Sequence, residues 1–208
     1  MARYTGPACR LCRQEGMKLF LKGTRCEMAK CAIERGKPAP GMHGAKRRKL
    51  SPYGEQLREK QRLRRSYGMF EEQFRILFTR AQKKRGITGD NLLKLLETRL
   101  DNVVFRLGFA ISRAQARQLV RHGHFRIKDR TVDIPSYQVR AGEIIEAKPK
   151  ERCRKVIMKN LEVTEKREVP AWLSVNRQEL KGEVLRFPER ADITVPVNEQ
   201  LVVELYSK

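Results

Sequence analysis

Between residues 51 and 121 apolar positions recur at helical spacing, and after Gly123 they begin to alternate. Ser51 is a good N-cap for a first helix, Pro52 occupies its first turn, where a missing N–H costs nothing, and Gly68 stops it. Phe70, Phe74, Leu77, Phe78 and Ala81 mark one face of a second helix over 71–85. Lys83, Lys84 and Arg85 complement its C-terminal dipole, and Gly86 ends it. A third, long helix is capped by Asp90 or Asn91, carries Leu92, Leu96, Leu100, Val103, Val104 and Leu107 on a broad apolar face, and ends at Gly108. A shorter one runs from its Ser112 cap to about Arg121, with Ala116, Leu119 and Val120 on one arc. Phe125, Ile127, Val132 and Ile134 then bracket Lys128-Asp129-Arg130-Thr131 as a hairpin, and Ile144-Ile145 read as a further strand. Residues 152–162 are assigned to a helix. The runs 172–175, 184–187 and 201–206 are assigned to strands, the last alternating Leu201, Val203 and Leu205 against Val202, Glu204 and Tyr206.

The first 50 residues lack such a pattern. Gly36, Pro38, Pro40, Gly41 and Gly44 predict an extended linker over 34–50, which ends in the basic run Lys46-Arg47-Arg48-Lys49. Ahead of it, Cys9 and Cys12 are two residues apart, thirteen residues follow to Cys26, and four more to Cys31. Two close pairs joined by a short loop are the spacing of a structural Zn2+ site, in which four thiolates close a tetrahedron and leave no position for water or substrate. Metal binding supplies roughly 10–16 kcal/mol of apparent folding energy to such modules. Residues 1–33, thin in apolar side chains, are expected to need it.

Charge sharpens the picture. Lys and Arg number 46 against 24 acidic residues, a net +22 with a pI near 10.3. Residues 1–97 hold 24 basic and 9 acidic residues, and 98–208 hold 22 and 15, so the N-terminal half carries more of the surplus. Such an excess predicts a polyanion partner, nucleic acid first. A membrane surface would require a lipid anchor or a strongly amphipathic basic helix, and neither is evident, so no membrane partner is expected. Five cysteines, an odd number, argue against a secreted disulfide framework. With no signal peptide or membrane span in the sequence, a cytoplasmic protein with reduced thiols is expected. Cys153 stands alone and reads as a buried or incidental residue.

Candidate chemistry is that of binding. The histidines are His43, His122 and His124, and no nucleophile elbow, paired carboxylates or Gly-rich phosphate loop stands out, so neither an enzyme nor a small-molecule substrate is predicted. Arg58, Arg62 and Arg65 fall near one face of the first helix. Arg113, Arg117 and Arg121 recur at i, i+4 and i+8, a stripe expected to present three guanidinium groups outward. Replacing all three should weaken RNA binding without unfolding. His122 and His124 follow around Gly123, and the hairpin adds Arg126, Lys128 and Arg130. A helix stripe beside a basic hairpin suits folded RNA, recognised through backbone and 2′-hydroxyl contacts. Gln115 and Gln118 are weak support for a base-reading DNA helix.

The run RLDNVVFRLGFAISRAQARQLVRHGHFRIKDRTVDIPSYQVRAGEII (99–145) resembles the RNA-binding module named for small-subunit ribosomal protein S-four. RYTGPACRLCR (3–13), PGMHG (40–44), REKQRLRRSYG (58–68) and PVNEQLVVELYSK (196–208) extend that likeness over essentially the whole chain. The resemblance implies an α+β protein: an extended zinc-binding arm (1–44), a helical domain (45–97, completed by part of the C-terminal region), the S-four module (98–162) in a mixed helix and antiparallel-sheet domain, and C-terminal strands (163–208) packing back on the body. It implies a structural constituent of the small ribosomal subunit. Such a protein docks on a multi-helix junction in the five-prime domain of small-subunit rRNA, nucleates assembly of the subunit body and contributes to accuracy. Its partners would be that rRNA, neighbouring small-subunit proteins, notably the fifth, and mRNA where it enters the subunit. Cys9, Cys12, Cys26 and Cys31 match the zinc ligands of the zinc-bearing subset. The RNA contacts would come from Arg3, Arg10, Arg13, His43, Lys46, Arg47, Arg48, Lys49, Arg58, Arg62, Arg65, Arg113, Arg117, Arg121, His122 and His124. Two departures stand out: relatives often have Asn-Gly where this hairpin has Lys128-Asp129, and a serine cap where this chain has Phe70. The rival readings are an RNA-modifying enzyme carrying the same module and a zinc-dependent DNA-binding regulator.

Overall fold

A computed structural model describes residues 4–46 and 49–207; Arg3, Arg47 and Arg48, three of the expected RNA contacts, lie outside them. The helices among the described residues are α1 (Ala8–Glu15), α2 (Pro52–Ser66), α3 (Glu71–Gln82), α4 (Thr88–Glu97), α5 (Leu100–Arg106), α6 (Arg113–Arg121), α7 (Glu151–Val163) and α8 (Glu199–Tyr206). The strands are β1 (Phe125–Ile127), β2 (Arg130–Thr131), β3 (Ile144–Ala147), β4 (Leu173–Asn176) and β5 (Lys181–Val184). The α+β class therefore holds. The chain divides into two compact units, one running to Leu92 and resuming at Val195, the other spanning Leu93–Thr194.

The first unit is helical. Ser51 Oγ accepts the Gly54 N–H at 3.2 Å, the cap that starts α2. Phe70 gives α3 no side-chain cap, but Glu71 and Glu72 place negative charge in its first turn. Leu63, Phe74, Ala81, Leu92 and Val202 are fully buried. The arm is less extended than expected: α1 forms within it, closed by Gly16 in the left-handed region at φ 70°, and a 3-10 turn follows at Gly23–Cys26.

The expected strand over 201–206 is instead helix α8. Asn198 caps it, its side chain accepting the Gln200 N–H at 3.0 Å. Val202 and Tyr206, four residues apart, then share the inward face, and the Tyr206 ring stacks on Phe78 at 4.4 Å. Polar ties hold α8 to the unit: Gln56 Nε2 donates to Glu204 Oε2 at 3.0 Å, Tyr206 Oη to Glu71 Oε1 at 2.9 Å, and the Asn198 N–H to Glu59 Oε2 at 3.1 Å. β-branched alternation is a weak preference, and a cap with an apolar i, i+4 face overrides it.

The second unit packs helices on a five-stranded antiparallel sheet ordered β2-β1-β3-β5-β4. Val103, Val104, Phe109, Phe125, Ile145, Ile157 and Trp172 form its centre, with Phe109 stacked on Phe125 at 5.9 Å. Gly182 in β5 lies against Leu107 so closely that a Cβ would sit 2.4 Å from Leu107 Cδ1. The single long helix predicted to reach Leu107 is broken into α4 and α5. Arg99 is extended (φ −68°, ψ 137°) and bridges antiparallel to Gln138. The Val139 N–H donates to Thr98 O at 2.9 Å and the Leu100 N–H to Tyr137 O at 2.8 Å. A passing segment thus takes the hydrogen bonds that would have continued the helix.

The hairpin is tight. Ile127 pairs with Arg130, leaving Lys128 and Asp129 as a two-residue loop with φ 50° and 62°. Positive φ at both positions is the twist-matched turn that normally recruits Asn-Gly. This chain adopts it with residues that pay about 1–2 kcal/mol each in the left-handed region.

Candidate nucleic-acid interface

The arm gathers thiols and cations. Cys12, Cys26 and Cys31 are buried and Cys9 is half-buried. Burial pushes the Cys12 thiol up; a Leu19 backbone hydrogen bond opposes this, and Cys26, Cys9 and Cys31 add to the rise. Cys26 is also raised by burial, against the Lys22 N–H that donates to its Sγ at 3.3 Å. Four soft donors within one another's electrostatic reach suit Zn2+ by chemistry. The expected closed tetrahedron is not assembled, however: among the described residues no three or more His, Cys, Asp or Glu side chains are gathered as a metal site. Beside Cys9 a cavity of about 220 Å³ is lined by Arg13, Arg25, Lys30, Ala32, Arg35 and Lys37. Arg13 and Arg35 are steadied by backbone carbonyls, Pro38 O at 3.1 Å and Ala29 O at 3.3 Å. Arg10, His43, Lys46 and Lys49 are exposed.

The basic face of α2 has a different environment from the one expected. Arg58 reaches Glu15 Oε1 at 3.4 Å, Arg65 pairs with the same oxygen and also takes Gln14 Oε1 at 3.1 Å, and Arg62 pairs with Glu59 and meets Glu15 O at 3.4 Å. Glu15 is itself buried, and burial raises its pKa against the pull of Arg65, Arg58 and Arg62. Burial likewise lowers Arg65, opposed by Glu15. These three arginines fasten α1 to α2, with part of each guanidinium left toward solvent.

The α6 stripe is corrected most. Arg113 Nε donates to Asn102 Oδ1 at 2.8 Å, and its guanidinium lies 4.6 Å from the Phe105 ring. Asn102 in turn donates to Glu97 Oε2 at 2.7 Å, and Glu97, fully buried, takes a two-pronged contact from Arg106 at 3.1 and 2.7 Å. Arg117 is 11% exposed and faces Asp101 at 3.7 Å, a carboxylate already gripped by Arg99 at 3.0 and 2.8 Å. Burial pushes Arg117 down, Asp101 raises it and Arg99 lowers it. Only Arg121 points outward as expected, 57% exposed and 3.3 Å from Asp133. Gln115 is engaged within the unit: it accepts the Ile111 N–H at 2.7 Å and donates to Asn160 Oδ1 at 3.1 Å, bracing α6 on α7. A sequence stripe marks a helix face but not which buried carboxylates, here Glu97 and Asp101, will turn it inward.

Beyond Arg121 the end of α6 gathers two histidines and a lysine. His122 and His124 stack at 6.3 Å across Gly123, and Lys148 approaches the same turn. Burial, His122 and Lys148 all push His124 down, and its Nδ1 is buried without a hydrogen-bond partner among the described residues. Lys148 was not singled out by sequence, nor were Arg35 and Lys37 in the arm; all three are brought in by turns that no periodicity marks. Next to this corner, the hairpin borders an open hollow of about 420 Å³ lined by Ile127, Lys128, Arg130, Val132 and Tyr137.

Residues 3–97 match the ribosomal protein S4/S9 N-terminal domain, and residues 98–145 match the S4 domain. The chain is 58% identical over 208 residues to small ribosomal subunit protein uS4 of Thermodesulfovibrio yellowstonii, with all of both chains covered. It is 57% identical over 210 residues to that of Pelobacter propionicus and 57% over 209 to that of Thermus thermophilus, again over the full length of each.

Proposed function

The chain belongs to the family of small ribosomal subunit protein uS4, and from that premise we propose that it grips a junction of several helices in the five-prime domain of small-subunit rRNA and nucleates assembly of the subunit body. Membership makes it a structural, rRNA-binding constituent of the ribosome in the cytoplasm, and not an enzyme. The observation that carries the finer reading is the cavity in the arm, where Arg13, Arg25, Lys30, Arg35 and Lys37 surround about 220 Å³ with no carboxylate in the lining. Five cations around one hollow are costly in mutual repulsion unless polyanion phosphates occupy it. The arm, and the end of α6 with Arg121 and Lys148 as its cations beside His122 and His124, supply two basic surfaces for RNA.

Cys9, Cys12, Cys26 and Cys31 would hold one Zn2+, whose role is a crosslink that fixes the arm and supplies no chemistry to a substrate. Arg13 on α1 and Arg25 in the 3-10 turn would then be held in one arrangement. The same reading gives the chain the fifth small-subunit protein and incoming mRNA as neighbours, and with them a share in translational accuracy.

The test is binding of the full chain to the isolated five-prime domain of small-subunit rRNA across a salt series, with duplex DNA as competitor. Six to ten neutralised phosphates would cost roughly 10³–10⁵ in affinity between 50 and 200 mM salt. A flat salt response, or a preference for the DNA, overturns the proposal.

A further inference from the structure

The hairpin cavity does not resemble the phosphate-facing clusters. Its walls are Ile127, Val132 and the ring of Tyr137, and its cations, Lys128 and Arg130, come from the turn and the strand after it. At about 420 Å³ and open to solvent, it has the form of a shallow groove rather than of a closed ligand pocket.

Tyr137 is fixed in place. Its Oη donates to the buried carboxylate of Glu143, at 3.0 and 3.2 Å to the two oxygens, and the Arg140 N–H adds a contact to Oε2 at 3.0 Å. Lys128 Nζ also reaches Glu143 Oε1, at 3.2 Å, while its side chain stays 68% exposed. That reach depends on the turn, in which Lys128 and Asp129 are both held at positive φ. Strained backbone of this kind collects where a side chain must be aimed. The result is an aromatic platform held rigid from behind, an aliphatic wall, and positive charge at the rim.

We propose that this cavity takes one unstacked nucleotide of the bound RNA, the base against Tyr137, Ile127 and Val132 and its phosphate toward Lys128 and Arg130. The inference rests on the RNA-binding reading above and adds to it a contact of another kind. Stacking on an aromatic ring is indifferent to salt and tolerant of base identity. The Tyr137 hydroxyl is already committed to Glu143, and Ile127 and Val132 have no polar side-chain atoms, so the pocket favours an unpaired nucleotide without selecting its sequence. The neighbouring corner at His122, His124 and Lys148 continues the path, since a Cβ on Gly123 would lie 3.2 Å from Thr131 Cγ2 in β2 and 3.6 Å from Lys148 Nζ.

The experiment uses the full chain and the five-prime domain of small-subunit rRNA. Val132→Phe fills the cavity without altering charge and is expected to weaken binding roughly tenfold at every salt concentration, leaving the slope of log K against log salt unchanged. Arg130→Ala is expected to reduce that slope by about one. With 4-thiouridine distributed through the RNA, irradiation should join an unpaired nucleotide to the tryptic peptide 131–140 in the parent chain and not in Val132→Phe. A Val132→Phe chain that melts like the parent and binds RNA equally well, with no crosslink to that peptide, overturns the proposal. If Val132→Phe fails to fold, the crosslink in the parent chain decides alone. A parent chain that ignores the rRNA altogether sinks the ribosomal reading itself, an outcome distinct from loss of the pocket.

Discussion

Arg113 on α6 is turned onto Asn102 of α5, its Nε 2.8 Å from the amide oxygen, and Asn102 passes the connection on to Glu97. The half-buried guanidinium is thereby tied into its own unit. Asn102→Ala breaks that chain of hydrogen bonds and should cost about 1.5–3 kcal/mol of stability, read as a lower urea midpoint with an unchanged slope. Replacing Arg113, Arg117 and Arg121 together should destabilise the unit as well as weaken binding. Arg121→Ala alone isolates the RNA contact: rRNA affinity falls while the melting temperature holds.

Asp129→Gly should stabilise the second unit by about 1 kcal/mol, because glycine occupies the left-handed region at φ 62° without the cost an aspartate bears. Chemical denaturation of the two chains side by side checks it, and a destabilised glycine variant would contradict it.

Gly182→Ala should have the opposite effect. The added methyl would press into Leu107 at 2.4 Å, and overpacking of a core typically costs 1–3 kcal/mol. A combined Gly182→Ala, Leu107→Ala chain should recover only part of the loss, since the second change opens a cavity elsewhere in the site.

His124 gives a dependence on pH. Burial, His122 and Lys148 hold its folded pKa below the ordinary value near 6.5. On acidification the unfolded chain takes up this proton first, so the contribution to stability is intact above that value and is lost as pH falls through the folded pKa. Denaturation midpoints between pH 8 and 5 should decline, and His124→Gln should flatten the part of the decline due to this residue.

Cys26→Ser should abolish retention of Zn2+ by the purified chain, with faster amide exchange confined to the arm and the second unit still folded. Full-stoichiometry zinc in that variant, measured by elemental analysis, would remove Cys26 from the proposed ligand set.

Where local chemistry governed, the sequence was readable. Ser51 and Ser112 each cap the helix assigned to them, at 3.2 and 3.3 Å to the amides they satisfy. The helix break at Thr98–Arg99 carried no glycine or proline, because its cause is a distant segment, 137–139, that competes for the same backbone groups. The strand assigned at 201–206 is a helix for a related reason: its cause is the distant aromatic shelf of Phe78 and Phe74, on which Tyr206 stacks. The interface was legible as composition and poorly legible as geometry. The turn that sets Tyr137 against Glu143, and the buried acids Glu97 and Asp101 that claim Arg106, Arg99 and Arg117, all depend on contacts between elements.

Because α8 is made of residues 199–206 and belongs with helices made from the first 92 residues, the helical unit cannot close until the ribosome has passed residue 206. The intervening unit, Leu93–Thr194, is complete by then and can fold while its predecessor still waits with the Phe78 shelf uncovered. The intervening unit can thus close before the unit that begins the chain, and a nascent polypeptide stalled before residue 199 should expose a sticky aromatic surface to chaperones.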